Sequence, residues 1–204
     1  MRDLIVLTAD KDAEFALKGL LARPQALGIR LIAWDSYVHP RRDPGLVNEA
    51  HDFLRPFHQR HTHALVMFDQ SGCGRDSEAP ADLARDVEDR LAANGWRERA
   101  AVVILVPELE VWVWSNSPHV AACLGWGGAS APLRAWLEGK GLWQSGTPKP
   151  ADPKAALDAA LRHVGKPRSS SLYQELASKV SLQGHTEPAF IALRTNLQRW
   201  FPVC

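Results

Sequence analysis

Cysteine is scarce in this 204-residue chain: Cys73, Cys123 and Cys204, none in a CxxC pair. That sparse, odd count excludes a disulfide framework and a zinc knuckle, and it fits a reducing cytoplasm. Long hydrophobic runs are missing, since no apolar stretch approaches the roughly 20 residues that cross a bilayer. No membrane partner is therefore expected. The opening MRDLIVLTAD has a short apolar stretch that runs straight into Asp10, so it does not read as a signal peptide. An excess of charge of one sign is missing too: 24 Lys and Arg face 23 Asp and Glu, a net charge of +1. This excludes a protein that coats nucleic acid by bulk basicity and leaves room for a local basic patch. There is no internal repeat, no low-complexity segment and no GxxxxGK[ST] phosphate loop.

What remains is globular. Hydrophobic residues make up 46% and charged residues 23%, near the average for folded domains. Four short apolar runs stand out: LIVL at 4–7, IRLIAW at 29–34, ALVMF at 64–68 and AVVILV at 101–106. Continuous, branched runs of this length fit strands buried on both faces of a parallel sheet. Helical spacing follows each of the first three. Ala13, Ala16, Leu17, Leu20 and Leu21 follow the first, and Val47, Ala50, Phe53, Leu54 and Phe57 the second. Leu83, Val87 and Leu91 follow the third. Alternating strand and helix predicts an α/β domain, with a parallel four-stranded sheet flanked by helices, over residues 1–125. Beyond a Gly- and Pro-rich stretch, three helical patterns predict a mainly helical C-terminal region, 126–204, packed on the sheet. Residues 1–150 carry a net charge of −2 and residues 151–204 a net of +3, which reads as a solvated helix face.

Parallel α/β sheets bind ligands at the carboxyl ends of their strands. Asp10, Asp12 and Glu14 follow the first strand, Asp35 and the segment HPRRDPG the second. Asp69 with QSGCGR follows the third, and Glu108 and Glu110 follow the fourth. Four strand ends thus offer carboxylates to one rim. Hard cations such as Mg²⁺ take oxygen ligands, so Asp69, Glu110, Asp10 and Glu108 are candidate metal ligands for phosphoryl chemistry. The same acids also fit helix caps, Asp10 or Asp12 for the first helix and Glu108 for a short helix after the fourth strand. Arg41 and Arg42 are placed to grip phosphates or to sit solvated in an ordinary turn. Arg75, in Gly72-Cys73-Gly74-Arg75, belongs to a loop that cradles an anion or is simply flexible.

The stretches LIVLTADKDAEFALKGLL, ALVMFDQSGCG and VVILVPELEVWVWS together resemble a TOPRIM domain. That family includes topoisomerases, primases, nucleases of the overcoming-lysogenization-defect type and small stand-alone proteins of bacterial defence islands. Asp69 falls on the first Asp of the family's Asp-x-Asp pair and Gly72 on the trailing Gly. Glu110 and Trp112 fall on the Glu-x-Trp element of the stand-alone branch. Thr8 and Ala9 stand where the family has Glu and Gly, and Ser71 stands for the second Asp. The resemblance implies a Mg²⁺-dependent nuclease in bacterial antiviral defence, acting on nucleic acid beside protein partners. Asp10 would then substitute for the missing Glu, and Ser71 would bind through water. The departures leave a second reading open, a catalytically degenerate subunit that binds a protein partner.

Three other features carry less. His58, His61 and His63 include a metal-like spacing but precede the third strand, on the wrong rim, and read as a helix terminus. Cys73 lacks an identifiable His and acid partner. The tryptophans of the second half (Trp112, Trp126, Trp136, Trp143 and Trp200) read as core between sheet and tail, because exposed aromatics interleaved with basic residues are absent.

Overall fold

The strands are built from alternation. In a computed structural model that describes residues 1–129, 131–182 and 186–203, β1 (Arg2–Thr8), β2 (Trp34–Val38), β3 (His61–Asp69) and β4 (Ala100–Leu105) form one parallel sheet in the order β2-β1-β3-β4. Cys204 lies outside the described residues. Leu4, Val6, Leu65, Met67, Ala101, Val103 and Leu105 point to one face, and Ile5, Leu7, Ala64, Val66, Phe68, Val102 and Ile104 to the other. Both sets are buried, which is why these strands read as continuous apolar runs.

The helices divide between the faces. Helices α1 (Lys11–Leu21) and α2 (Pro24–Leu27) cover the first, with α5 (His119–Cys123), α6 (Leu133–Gly139), α7 (Pro153–Val164), α8 (Ser170–Lys179) and α9 (Pro188–Trp200). Helices α3 (Arg42–Leu54) and α4 (Pro80–Leu91) cover the second, together with the fully buried Trp96. The chain leaves β1 toward the first face and β3 toward the second. The loops at the carboxyl ends of these adjacent strands therefore part, and a crevice opens between them.

The fold follows the expected class, with one strand displaced. The apolar run 29–34 is the connection into β2, and only Trp34 of it belongs to the strand. Ile29 and Ile32 are buried, but Leu31 is 79% exposed. β2 is an edge strand with mostly half-buried residues, so its sequence carries no apolar signature. Asp35 consequently lies inside β2, opposite Ile5, and not beyond its end. His61 and His63 likewise belong to β3 rather than to a helix terminus, and His61 is buried with Asp35 Oδ2 2.8 Å from its Nε2. The tryptophans do fill the space between sheet and tail. Trp114, Trp126 and Trp143 are buried, and Trp112, Trp136 and Trp200 pack against the same core.

One contact sets where the tail stands. A Cβ on Gly19 of α1 would lie 2.5 Å from the Gln174 carbonyl oxygen and 2.7 Å from Ala177 Cβ, both on α8. Only the missing side chain lets these helices approach so closely. Gly19→Ala gains about 1 kcal/mol of helix propensity but forces two packed helices apart, at the upper end of the ~1–3 kcal/mol typical of overpacking. Thermal unfolding of this variant is expected to show a Tm lower by at least about 2 °C. An unchanged or higher Tm would show that α8 moves freely on α1.

Candidate metal centre

Asp69 is the last residue of β3, and two backbone hydrogen bonds fix its surroundings. Its N–H donates to Asp43 Oδ1 at 2.9 Å, and its own Oδ1 accepts the Leu109 N–H at 3.0 Å. The second bond ties the end of β3 to the short helical turn Leu109–Trp112, which follows β4. That turn carries Glu110 and is preceded by Glu108. Carboxylate oxygens of Asp69, Glu108 and Glu110 lie within 4.8 Å of one another. This is the metal-capable group of His, Cys, Asp and Glu found among the described residues.

The electrostatics are those of crowded acids. Burial, and then the negative charges of Asp43, Glu110, Asp10 and Glu108, push the Asp69 carboxyl up to about 9. Burial also raises Asp43. Glu110 is only 2% exposed. Its Oε1 accepts from the Tyr173 hydroxyl at 2.9 Å and from the Arg168 guanidinium. Its Oε2 is buried with no hydrogen-bond partner among the described residues. Lys154 pairs with Glu108. Arg168 also reaches Asp12 at 3.3 Å and Asp158 at 3.4 Å. Beside the acids, an open cleft of about 480 Å³ is lined by Asp10, Asp12, Lys11, Arg42, Lys154 and Arg168, among others.

The residues expected at this site divide clearly. Asp69, Glu108 and Glu110 converge. Asp10 stands close enough to act on Asp69 electrostatically, but its Oδ1 caps α1 by accepting the Ala13 N–H at 2.9 Å. Arg42 lines the cleft, exposed, and its guanidinium has no hydrogen bond or ion pair among the described residues. Arg41 turns away to Glu49, with Nε 2.9 Å from Oε2. Arg75 is held by Glu78 and Asp86. The Gly72 and Gly74 amides are already bound by the Asp76 carboxylate, so that loop supplies its own anion. Ser71 is exposed, and its N–H donates to the Pro107 carbonyl at 3.0 Å. Thr8 is fully buried, and its hydroxyl donates to the Asp10 carbonyl at 3.1 Å. Glu14 is buried beside β2 on Lys11, Lys18 and Ser36, outside the cluster.

Asp43, Lys154, Arg168 and Tyr173 were not singled out from the sequence. Asp43 was present in the HPRRDPG segment, behind two more conspicuous arginines. Lys154 and Arg168 had one signal, the opposed charge of body and tail, and Tyr173 had none. Comparison of the chain with family models, curated proteins and solved structures returns no match. The site is therefore defined by its own geometry.

The raised Asp69 carboxyl gives the metal-free protein a characteristic pH dependence. An unfolded Asp loses its proton near pH 4, whereas Asp69 in the folded chain keeps it up to about pH 9. Between these values the folded state binds more protons, so this group makes stability fall as pH rises through the window. Asp69→Asn removes that dependence and keeps an oxygen for the Leu109 N–H. With a chelator present, the variant is expected to lose less stability than wild type between pH 5 and 9. At pH 8 its Tm should exceed wild type by about 3 °C or more, equivalent to about 1 kcal/mol in a chain of this size. Parallel Tm curves would contradict the crowding argument.

Proposed function

We propose that the chain is a divalent-metal-dependent enzyme acting on phosphoester bonds of nucleic acid, with Mg²⁺ held by Asp69, Glu108 and Glu110. The observation that carries this reading is the Glu110 carboxylate, whose Oε2 is buried beside two other acids with no donor to satisfy it. A buried, unpaired carboxylate oxygen is costly, and crowding it with further acids raises that cost unless a cation is received there. The donor set is all oxygen and all carboxylate, which fits a hard cation and not a soft one. The position supports the same reading, because the crevice between β1 and β3 at the carboxyl edge is where such sheets bind ligands.

The resemblance to TOPRIM domains agrees with this choice, since Asp69, Glu110 and Trp112 occupy its motif positions. It also carries the expectation of bacterial antiviral defence and of protein partners. A bound Mg²⁺ would polarise a phosphoryl group and lower the pKa of a water. The chain's own residues do the rest. Leu109 N–H and Tyr173 Oη orient the Asp69 and Glu110 carboxylates. Asp43 and Asp10 add an outer ring of negative charge. Arg42 presents an unpaired guanidinium to phosphate oxygens from the cleft wall.

A second reading has its own observation. Arg168 already sits on Glu110, and the Thr8 hydroxyl is engaged by backbone. In that reading the ion pair is a permanent strut in a catalytically silent, partner-binding subunit. Calorimetric titration with Mg²⁺ and Mn²⁺ separates the two. The enzyme reading expects one site in wild type, weakened at least about 10-fold in Asp69→Asn and in Glu108→Gln. Metal-dependent cleavage of single-stranded or duplex DNA or RNA should be lost in the same variants. No uptake at millimolar metal would retire the enzyme reading and leave the strut.

A further inference from the structure

Two cations of the C-terminal region reach into the acid cluster, Arg168 and Lys154. Arg168 lies in the turn between α7 and α8. Its guanidinium is shared among Glu110, Asp12 and Asp158, on three different elements. Lys154, in the first turn of α7, pairs with Glu108. Both also line the 480 Å³ cleft, where Arg42 stands unpaired. Glu110 does not need Arg168 to stay oriented, because Tyr173 donates to the same Oε1 from a buried position. Asp12, which is also on the cleft wall, offers Arg168 a second seat.

We infer that Arg168 and Lys154 are exchangeable counter-ions. A divalent metal displaces them from Glu110 and Glu108, and with Arg42 they then make the cleft a seat for a phosphate group. This rests on the metal reading above and adds to it the ligand class of the neighbouring cleft and a coupling between the two sites. The physical basis is charge exclusion. A guanidinium and an ammonium a few ångströms from a divalent ion repel it, and leaving its ligands relieves that repulsion. Once freed, Lys154 has lost the carboxylate it pairs with, and Arg168 has lost the buried one and keeps only the more exposed Asp12 and Asp158. A phosphate, which takes guanidinium in bidentate fashion, restores the balance. Metal and phosphate therefore bind cooperatively, and each tightens the other by the same factor.

The test measures both affinities in the intact protein by calorimetry, with Mg²⁺ and with inorganic phosphate as probes. In wild type, phosphate is expected to bind at least about 10-fold more tightly with Mg²⁺ present than with a chelator, within the range of ordinary coupling. Phosphate should tighten Mg²⁺ equally. Arg168→Ala should bind Mg²⁺ more tightly than wild type when phosphate is absent and should lose the coupling. Arg42→Gln, at an exposed position, should keep wild-type Mg²⁺ affinity and lose the coupling, a split that a structural strut would not produce. Displacement of the bound phosphate by a short single-stranded oligonucleotide would assign the seat to a nucleic-acid backbone. Its persistence would assign the seat to a small phosphate ester. Phosphate affinity indifferent to Mg²⁺, in a wild type that binds Mg²⁺, would overturn this inference and leave the metal reading intact. A wild type that takes up no Mg²⁺ would end both.

Discussion

Like-charge repulsion at the carboxyl edge of the sheet is the constraint to which the rest of the chain answers. Asp69, Glu108 and Glu110 are brought together by the backbone itself, through the bond from the Leu109 N–H to Asp69. Asp43 is added by a second backbone bond, from the Asp69 N–H. Such crowding is tolerable only with cations nearby or protons on the acids, and the structure has both. Asp69 holds its proton far above the usual carboxylate range, and Lys154 and Arg168 arrive from the C-terminal region. The tail is thus more than a cover for one face of the sheet. Its α8, drawn against α1 at Gly19, places Tyr173 against Glu110, and the turn before α8 places Arg168 there.

Other acids in the same fold, the buried Glu14 and the half-buried Asp35, show what a satisfied carboxylate looks like. Glu14 has Lys11 at 2.6 Å, Lys18 at 3.0 Å and Ser36 at 2.7 Å. Burial opposes ionisation there, but these three donors override it and hold the carboxyl down at about 2. Asp35 has Arg2 at 2.9 Å and His61 at 2.8 Å. These groups are closed hubs that fasten α1 to β2 and β2 to β3. Among the described residues Asp69 has an N–H donor and no paired cation, and Glu110 keeps one buried oxygen with no donor. The contrast within one chain separates acids that leave no buried oxygen unbonded among these residues from a cluster that keeps one.

The sequence disclosed the layers well and the site by halves. β1, β3 and β4 were visible because burial on both faces leaves no polar residue to break the run. β2 was misplaced because an edge strand needs no such run, while the buried Ile29 and Ile32 in its approach imitate one. Asp69, Glu108 and Glu110 were legible because strand ends can be located and the carboxyl rim is where they gather. Arg75 and Arg41 looked equally suited to a phosphate, but only three-dimensional contacts show Glu78, Asp86 and Glu49 holding them. Arg168 and Lys154 lie far along the chain from the acids they meet. Their one trace was the opposed charge of body and tail, which a solvated surface would also produce.

The departures at Thr8 and Ser71 take on a different weight once charge is counted instead of position. A hard-cation site depends on how many oxygens and how much negative charge converge, and less on which strand supplies them. Thr8 is withdrawn into backbone bonding and Ser71 faces solvent, so two expected positions contribute no carboxylate. Glu108 enters the cluster directly, and Asp43 stands against Asp69 from the first turn of α3. That is a place where the helix dipole favours an acid. Other elements thereby supply the local negative charge. The same acids are also held by donors of the fold, since removing Glu110 would strand the Tyr173 hydroxyl and take the buried partner from the Arg168 guanidinium, and removing Asp43 would strand the Asp69 N–H.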